Sequence, residues 1–181
     1  MSRYNLALLP AKQTIQFIQL AKTFRDNAAI DYILGEHSLP HITLAQFRTD
    51  DWLLLEKLWQ QLMEQLRLNE FKELALQLKG LDLYQDPQNK DAVWLQLLPQ
   101  YDPVLYNLHN AAVSILHQNN LFPLNKSADL YEPHLTLIHT TNLAYIDRYK
   151  EYQMNIADIF YPALGESDEA GQFVRVIKQF G

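Results

Sequence analysis

Leu39-Pro40-His41-Ile42-Thr43-Leu44 is the stretch on which the fold turns, because the second half of the chain repeats it almost unchanged as Glu132-Pro133-His134-Leu135-Thr136-Leu137. Both copies read Pro-His-apolar-Thr-Leu. In a strand, successive side chains point to opposite faces. His41 and Thr43 therefore share one face while Ile42 and Leu44 enter the core. His134 and Thr136 separate from Leu135 and Leu137 in the same way. Each proline favours extended backbone at the approach to its histidine.

The same order of elements surrounds each copy. Tyr4 to Leu9 reads as a strand, and about Ala11 to Ala28 as a helix with Ile15, Ile18 and Phe24 on one face. Pro40 to Phe47 is the motif strand. Asp50 or Asp51 caps a helix to about Leu68, whose stripe is Leu55, Trp59, Leu62 and Leu66. Leu74, Leu76 and Leu78 alternate with polar residues, and Leu81 and Leu83 continue in the opposite phase, which predicts a bulge at Gly80.

In the second half, Ala92 to Leu98 is a strand, and Asp102-Pro103 opens a helix carrying Leu105, Leu108, Ala112, Ile115 and Leu116. Pro133 to His139 is the motif strand, and Asn142 to about Tyr152 a short helix. Ile156 to Leu164 and Phe173 to Phe180 are strands around the polar loop Gly165 to Gly171. The phrase thus belongs to a repeat of whole supersecondary units, with halves of roughly 1–90 and 91–181 inside one domain spanning 1–181. Packing of the halves about a pseudo-twofold axis would turn both His-Thr pairs into one groove.

Composition narrows the function. Of 181 residues, 48% are hydrophobic, enough for a substantial core. Cysteine is absent, which removes disulfides, thiolate nucleophiles and cysteine zinc sites together. The apolar run in MSRYNLALLPAKQ is too short for a signal-peptide core or a membrane span, so a soluble cytoplasmic protein without membrane association is expected. The net charge is −6, and Lys and Arg are scattered, which argues against a grip on long nucleic acid. A small phosphorylated ligand in one local pocket is compatible with this balance. No GxGxxG or GxxxxGK[ST] loop is present.

Two imidazoles facing one groove suit general acid-base work, because near their ordinary pKa one can be neutral as the other is protonated. Two threonine hydroxyls beside them can donate to non-bridging oxygens. The chemistry this fits is transfer at a phosphodiester. One histidine takes a proton from the attacking water or hydroxyl, and the other gives a proton to the departing oxygen. Neither a metal nor a cofactor is called for. A strand duplicated for structure alone would keep its apolar positions more readily than His and Thr on the opposite face.

These paired HxT strands in two repeated halves resemble the two-histidine phosphoesterase superfamily. It includes 2′-5′ RNA ligase-like proteins, 2′,3′-cyclic nucleotide phosphodiesterases and 2′-5′ oligonucleotide phosphodiesterases. The resemblance covers nearly the whole chain by element order and the two short phrases by identity. It implies an α+β fold of two pseudo-symmetric lobes, each an antiparallel sheet with helices on its outer face, around a central cleft. It also implies His41 and His134 as the catalytic pair and Thr43 and Thr136 as phosphate-binding hydroxyls. Many RNA-ligase-like members carry a basic residue shortly after each motif, where this chain has Gln46 and His139. That departure favours a small nucleotide or short RNA substrate.

The expected activity is therefore metal-independent cleavage of a 2′,3′-cyclic phosphate or a 2′-5′ linkage by a monomeric hydrolase. A non-catalytic nucleotide- or RNA-end-binding module, and an RNA 2′-5′ ligase or end-processing enzyme, stand as alternatives. Sequence does not tell which histidine is the acid. Tyr131, three residues before His134, is the leading candidate to stack a base, with Tyr4 and Trp94 behind it. Lys126, Arg48 and Arg175 could assist a phosphate but read as solvated charges. His37, His41, His134 and His139 lack the helical spacing and acidic company of a metal site. His139 falls on the opposite face from His134 in a regular strand, and His109 and His117 read as surface positions of a helix.

Overall fold

The computed structural model describes residues 1–24, 30–35, 37–71, 73–87, 89–141 and 155–180. Its first half contains β1 (Ser2–Pro10), α1 (Thr14–Thr23), β2 (Ile30–Ile33), β3 (Ile42–Thr49), α2 (Trp52–Leu68) and β4 (Leu74–Gln85). The second contains β5 (Val93–Pro99), α3 (Pro103–Gln118), a 3-10 turn at Ala128–Leu130, β6 (Leu135–Thr140), β7 (Asn155–Ser167) and β8 (Phe173–Gln179). The helix expected at 142–152 lies outside the described residues.

Local chemistry sets these boundaries. The Asp51 carboxylate accepts from the amides of Leu53 and Leu54, and Asp102 caps α3 in the same way ahead of Pro103. Such a cap is worth about 1 kcal/mol. The α2 stripe Leu55, Leu58, Trp59, Leu62 and Leu66 is buried. Helix α1 is shorter than its periodicity suggests. The Asp158 carboxylate of β7 accepts from the amides of Lys12 and Gln13 and pins the chain just before it. β2 was not expected as a strand; its four residues are held by antiparallel pairing with β6.

All eight strands form one antiparallel sheet in the order β2-β6-β5-β4-β7-β1-β3, with β8 added alongside β7. The class is α+β, and the two-lobed symmetry is visible in the pairing. β1 lies between β3 and β7, as β5 lies between β6 and β4. Each half thus lends a strand to the other lobe, and pairing of β4 with β7 joins the lobes into a continuous sheet. The helices cross over too: α3 packs on β3, and α1 on β6. The main core unites strand residues such as Leu6, Leu8, Leu44, Leu135 and Leu137 with the helix stripes.

The duplication extends to a backbone irregularity. Leu6 pairs with Ala45 and Ala7 with Thr43, so Leu44 is bulged out of the ladder. Leu95 pairs with Ile138 and Gln96 with Thr136, so Leu137 is bulged in the same way. A bulge inserts one residue and resets the alternation of faces. Gln46 therefore shares a face with Thr43, and His139 shares one with Thr136. This corrects the expectation that His139 lies opposite, which assumed a regular strand. The bulge expected at Gly80 is also present, as a register shift between Lys79 and Leu81 with Gly80 at φ +71.

Candidate active site

The two motif histidines stand just ahead of their strands, each fixed by the same local bond. His41 Nδ1 lies 2.9 Å from the Leu39 carbonyl, and His134 Nδ1 lies 2.8 Å from the Glu132 carbonyl. A carbonyl oxygen only accepts, so in both rings Nδ1 carries the hydrogen. That leaves Nε2 as the acid-base atom of each neutral ring. The Leu39 amide donates to the Phe173 carbonyl at 2.7 Å and anchors the first approach to β8.

His41, Thr43, His134, Thr136 and Tyr131 all line one cleft of about 510 Å³. His41 is 6% exposed and lies against the Phe173 ring, whereas His134 is only half-buried. Burial lowers the His41 pKa to about 4, with the Leu39 carbonyl opposing and the neighbouring His134 adding to the drop. Burial also lowers the His134 pKa, opposed by the Glu132 carbonyl and by the carboxylates of Glu132 and Asp82.

The two threonines differ in their surroundings. Thr43 Oγ1 accepts from Asn5 Nδ2 at 3.0 Å and from Gln46 Nε2 at 3.4 Å. Asn5 faces the cleft side from the neighbouring strand and is fully buried. Thr136 is buried opposite Gln96, whose amide donates to Asp82 at 2.8 Å.

Tyr131 is 6% exposed, and its hydroxyl donates to the Thr43 carbonyl at 2.7 Å. One ring face is stacked on His109, with centroids 3.7 Å apart and planes 3° from parallel. Burial raises its phenol pKa. His109 is 1% exposed, and its Nδ1 lies 2.7 Å from the Leu44 carbonyl, so it is not a surface histidine. The signal was available: His109 follows Leu105 by four positions and precedes Ala112 by three, which places it on the apolar stripe. His117 is exposed as expected.

Sequence reasoning passed over Arg3 and gave Trp94 little weight. Arg3 lines the cleft from β1, donating to the Gln46 side-chain oxygen and to the Glu169 carbonyl. Trp94 lines the same cleft from β5, paired across strands with Tyr84 and resting on the His139 ring at 4.2 Å. His139 is in turn bonded to Asp86 at 2.9 Å. Tyr4 instead packs in the core against Phe47. Lys126 lines the cleft, bridged to Glu132 at 2.8 Å, whereas Arg48 pairs with Glu169 and Arg175 with Glu166. Among the described residues, no three His, Asp or Glu side chains are grouped to hold a metal ion, and no helix is long and apolar enough to cross a membrane.

The AKAP7 2′5′ RNA ligase-like domain family matches residues 31–168, a span that contains both motifs. The chain belongs to that family, and so to the two-histidine phosphoesterases. Solved structures extend the likeness to the whole fold. E. coli LigT complexed with 3′-AMP is 20% identical, with a TM-score of 0.66 over 99% of this chain and 97% of LigT. Usb1 of Kluyveromyces marxianus with uridine monophosphate is 12% identical, with a TM-score of 0.53 over 97% of each chain. The MHV ns2 PDE domain is also 12% identical, with a TM-score of 0.52 over 98% of this chain and 100% of that domain. No curated protein sequence matches the chain.

Proposed function

We propose that this protein is a metal-independent phosphodiesterase that cleaves a 2′,3′-cyclic phosphate or a 2′-5′ linkage in a small nucleotide. The observation that carries the reading is the matched pair of Nδ1-to-carbonyl bonds, which leave two Nε2 atoms for one cleft with a threonine beside each histidine. The nucleotides bound to the relatives, 3′-AMP in LigT and uridine monophosphate in Usb1, agree with a ligand of this size.

In this reading His41 is the base and His134 the acid. The deeper burial of His41 keeps its imidazole neutral, while Glu132 and Asp82 favour the imidazolium at His134. For a cyclic phosphate, a water oxygen attacks phosphorus and its proton passes to His41 Nε2. The bond from phosphorus to one ribose oxygen breaks, and that oxygen takes a proton from His134 Nε2. Thr43 and Thr136 donate to the non-bridging oxygens as charge builds there. Each proton transfer contributes roughly 10²–10⁴ in rate.

The test is product analysis with 2′,3′-cyclic nucleotides and 2′-5′ oligoadenylate in the presence of EDTA, for wild type, His41→Ala and His134→Ala. Wild type should turn over at least one substrate, and each variant should lose most activity. A p-nitrophenyl phosphodiester, whose leaving group needs no proton, should restore activity to His134→Ala far more than to His41→Ala. Tight binding without any product would instead support a nucleotide-binding module.

A further inference from the structure

We infer that Gln46 is a positioning residue that turns the Thr43 hydroxyl hydrogen into the cleft. The inference rests on the reading of the cleft as a phosphodiester site.

Two independent partners fix the orientation of the Gln46 amide. Arg3 can only donate, and it bonds the side-chain oxygen Oε1. The Gly171 carbonyl can only accept, and it takes a bond from Nε2 at 2.7 Å. Nε2 is therefore the atom that reaches Thr43 Oγ1, and it reaches it as a donor. Asn5 Nδ2 donates to the same oxygen at 3.0 Å. A threonine hydroxyl has two lone pairs and one hydrogen. With both lone pairs occupied by amides, its hydrogen has to donate elsewhere, and the open direction is the cleft that Thr43 lines.

The surrounding structure is built to hold this arrangement. Gln46 is 7% exposed, so a misplaced amide could not turn to water. The Leu44 bulge brings Gln46 onto the Thr43 face at all. Gly171 has φ +89, and a Cβ there would lie 2.8 Å from both Arg3 Nη2 and Gln46 Oε1. Only glycine lets the loop close over the pair without displacing it. The second half has no counterpart. His139 occupies the matching position and bonds Asp86, and among the described residues no hydrogen bond reaches the Thr136 hydroxyl. Among the described residues the two halves are thus unequal: Thr43 is a preset donor, and no such pair of amides holds Thr136.

Gln46→Glu keeps the shape and the Arg3 partner but replaces the donor with an acceptor, so Thr43 would donate to residue 46 instead of to substrate. Gln46→Met removes every polar contact but leaves the hydroxyl free to turn. A donor-orienting role predicts that Gln46→Glu loses more kcat/KM than Gln46→Met, by about tenfold, less than the roughly 10²–10³ lost when a transition-state donor is removed outright. Both variants release the Gly171 carbonyl, so a role in tethering the loop alone predicts similar losses in the two, and that outcome would overturn the proposal. Each variant is also measured in a Thr43→Val background. There Gln46→Glu should cost less than about twofold, because the hydroxyl it misdirects is gone. An equal loss in both backgrounds would assign the effect to added charge and equally overturn it. Should wild type cleave none of the substrates, the phosphodiesterase reading fails on its own, and the same cycle is then run on 3′-AMP affinity by calorimetry. Coupling between Gln46→Glu and Thr43→Val is expected there too, and its absence would overturn the orienting role.

Discussion

The Tyr131 hydroxyl donates to the main-chain carbonyl of Thr43 at 2.7 Å, tying the approach to the second motif onto the bulge of the first. The bulge takes Leu44 out of the ladder with β1, and the next carbonyl, that of Leu44, accepts from His109 Nδ1. Buried main-chain carbonyls need partners. Here two side chains from the second half supply them, stacked face to face as they do so.

Tyr131→Phe should therefore act as a structural lesion at the site. It removes one hydrogen bond to the Thr43 carbonyl, worth about 0.5–1.5 kcal/mol. Urea unfolding should show that loss, and kcat should fall while nucleotide affinity changes little. If affinity drops with stability unchanged, Tyr131 touches the ligand directly, as its place before the motif first suggests.

How far the sequence could be read divides at these bulges. The Pro-His-x-Thr-Leu repeat was enough to put His41 with Thr43 and His134 with Thr136, because period-two alternation needs no tertiary information, whereas the meeting of the two pairs in one cleft depends on how the halves pack. The helix caps at Asp51 and Asp102 were legible for the same reason. Arg3 and Asn5 were not, since nothing local reveals that β1 lies beside β3 with its odd residues facing the cleft. The face of His139 was misread because a bulge is invisible in an apolar run lacking glycine. The exchange of β4 and β7 between lobes is a property of the sheet, not of either half.

Stability should fall in mild acid. The folded-state pKa of His41 lies near 4, below the ordinary value of 6.5, so the unfolded chain binds the proton more tightly. The contribution is complete above about pH 6.5 and is lost as pH falls from there towards 4. Between pH 7 and pH 5, His41 alone accounts for about 2 kcal/mol. His134 and His109 are shifted in the same direction and add to the slope. Urea midpoints measured at pH 7 and 5 should diverge less in His41→Gln than in wild type; identical divergence would mean that His41 titrates normally in the fold.

The same shifts set the pH dependence of turnover. The productive free enzyme has one proton on the pair, and both imidazoles are lowered, so kcat/KM should peak on the acid side of neutrality. Its two apparent values belong to the pair. A bound phosphodiester carries negative charge and favours the imidazolium at the acid. The basic limb of kcat should therefore lie at higher pH than that of kcat/KM. Coincident limbs would show that substrate leaves the acid untouched.

Charge in the cleft should select against substrates with additional phosphates. Lys126 is already bridged to Glu132, and the terminal nitrogens of Arg3 are held by Gln46 and Glu169. Asp86, Glu132 and Glu169 line the same cleft. A single phosphodiester charge can be met by hydroxyls and by the field of Arg3, but a terminal triphosphate brings further charge towards these carboxylates. At an effective dielectric near 20, one unbalanced pair of like charges about 12 Å apart costs about 1.4 kcal/mol, or tenfold. A 2′-5′ linked diadenylate should thus be cleaved at least about tenfold better in kcat/KM than its 5′-triphosphorylated form. Raising salt should shrink that ratio, and Glu132→Gln, which releases Lys126, should shrink it further at low salt. A triphosphorylated substrate cleaved as well as the core would mean that the cleft carboxylates do not act on the added phosphates.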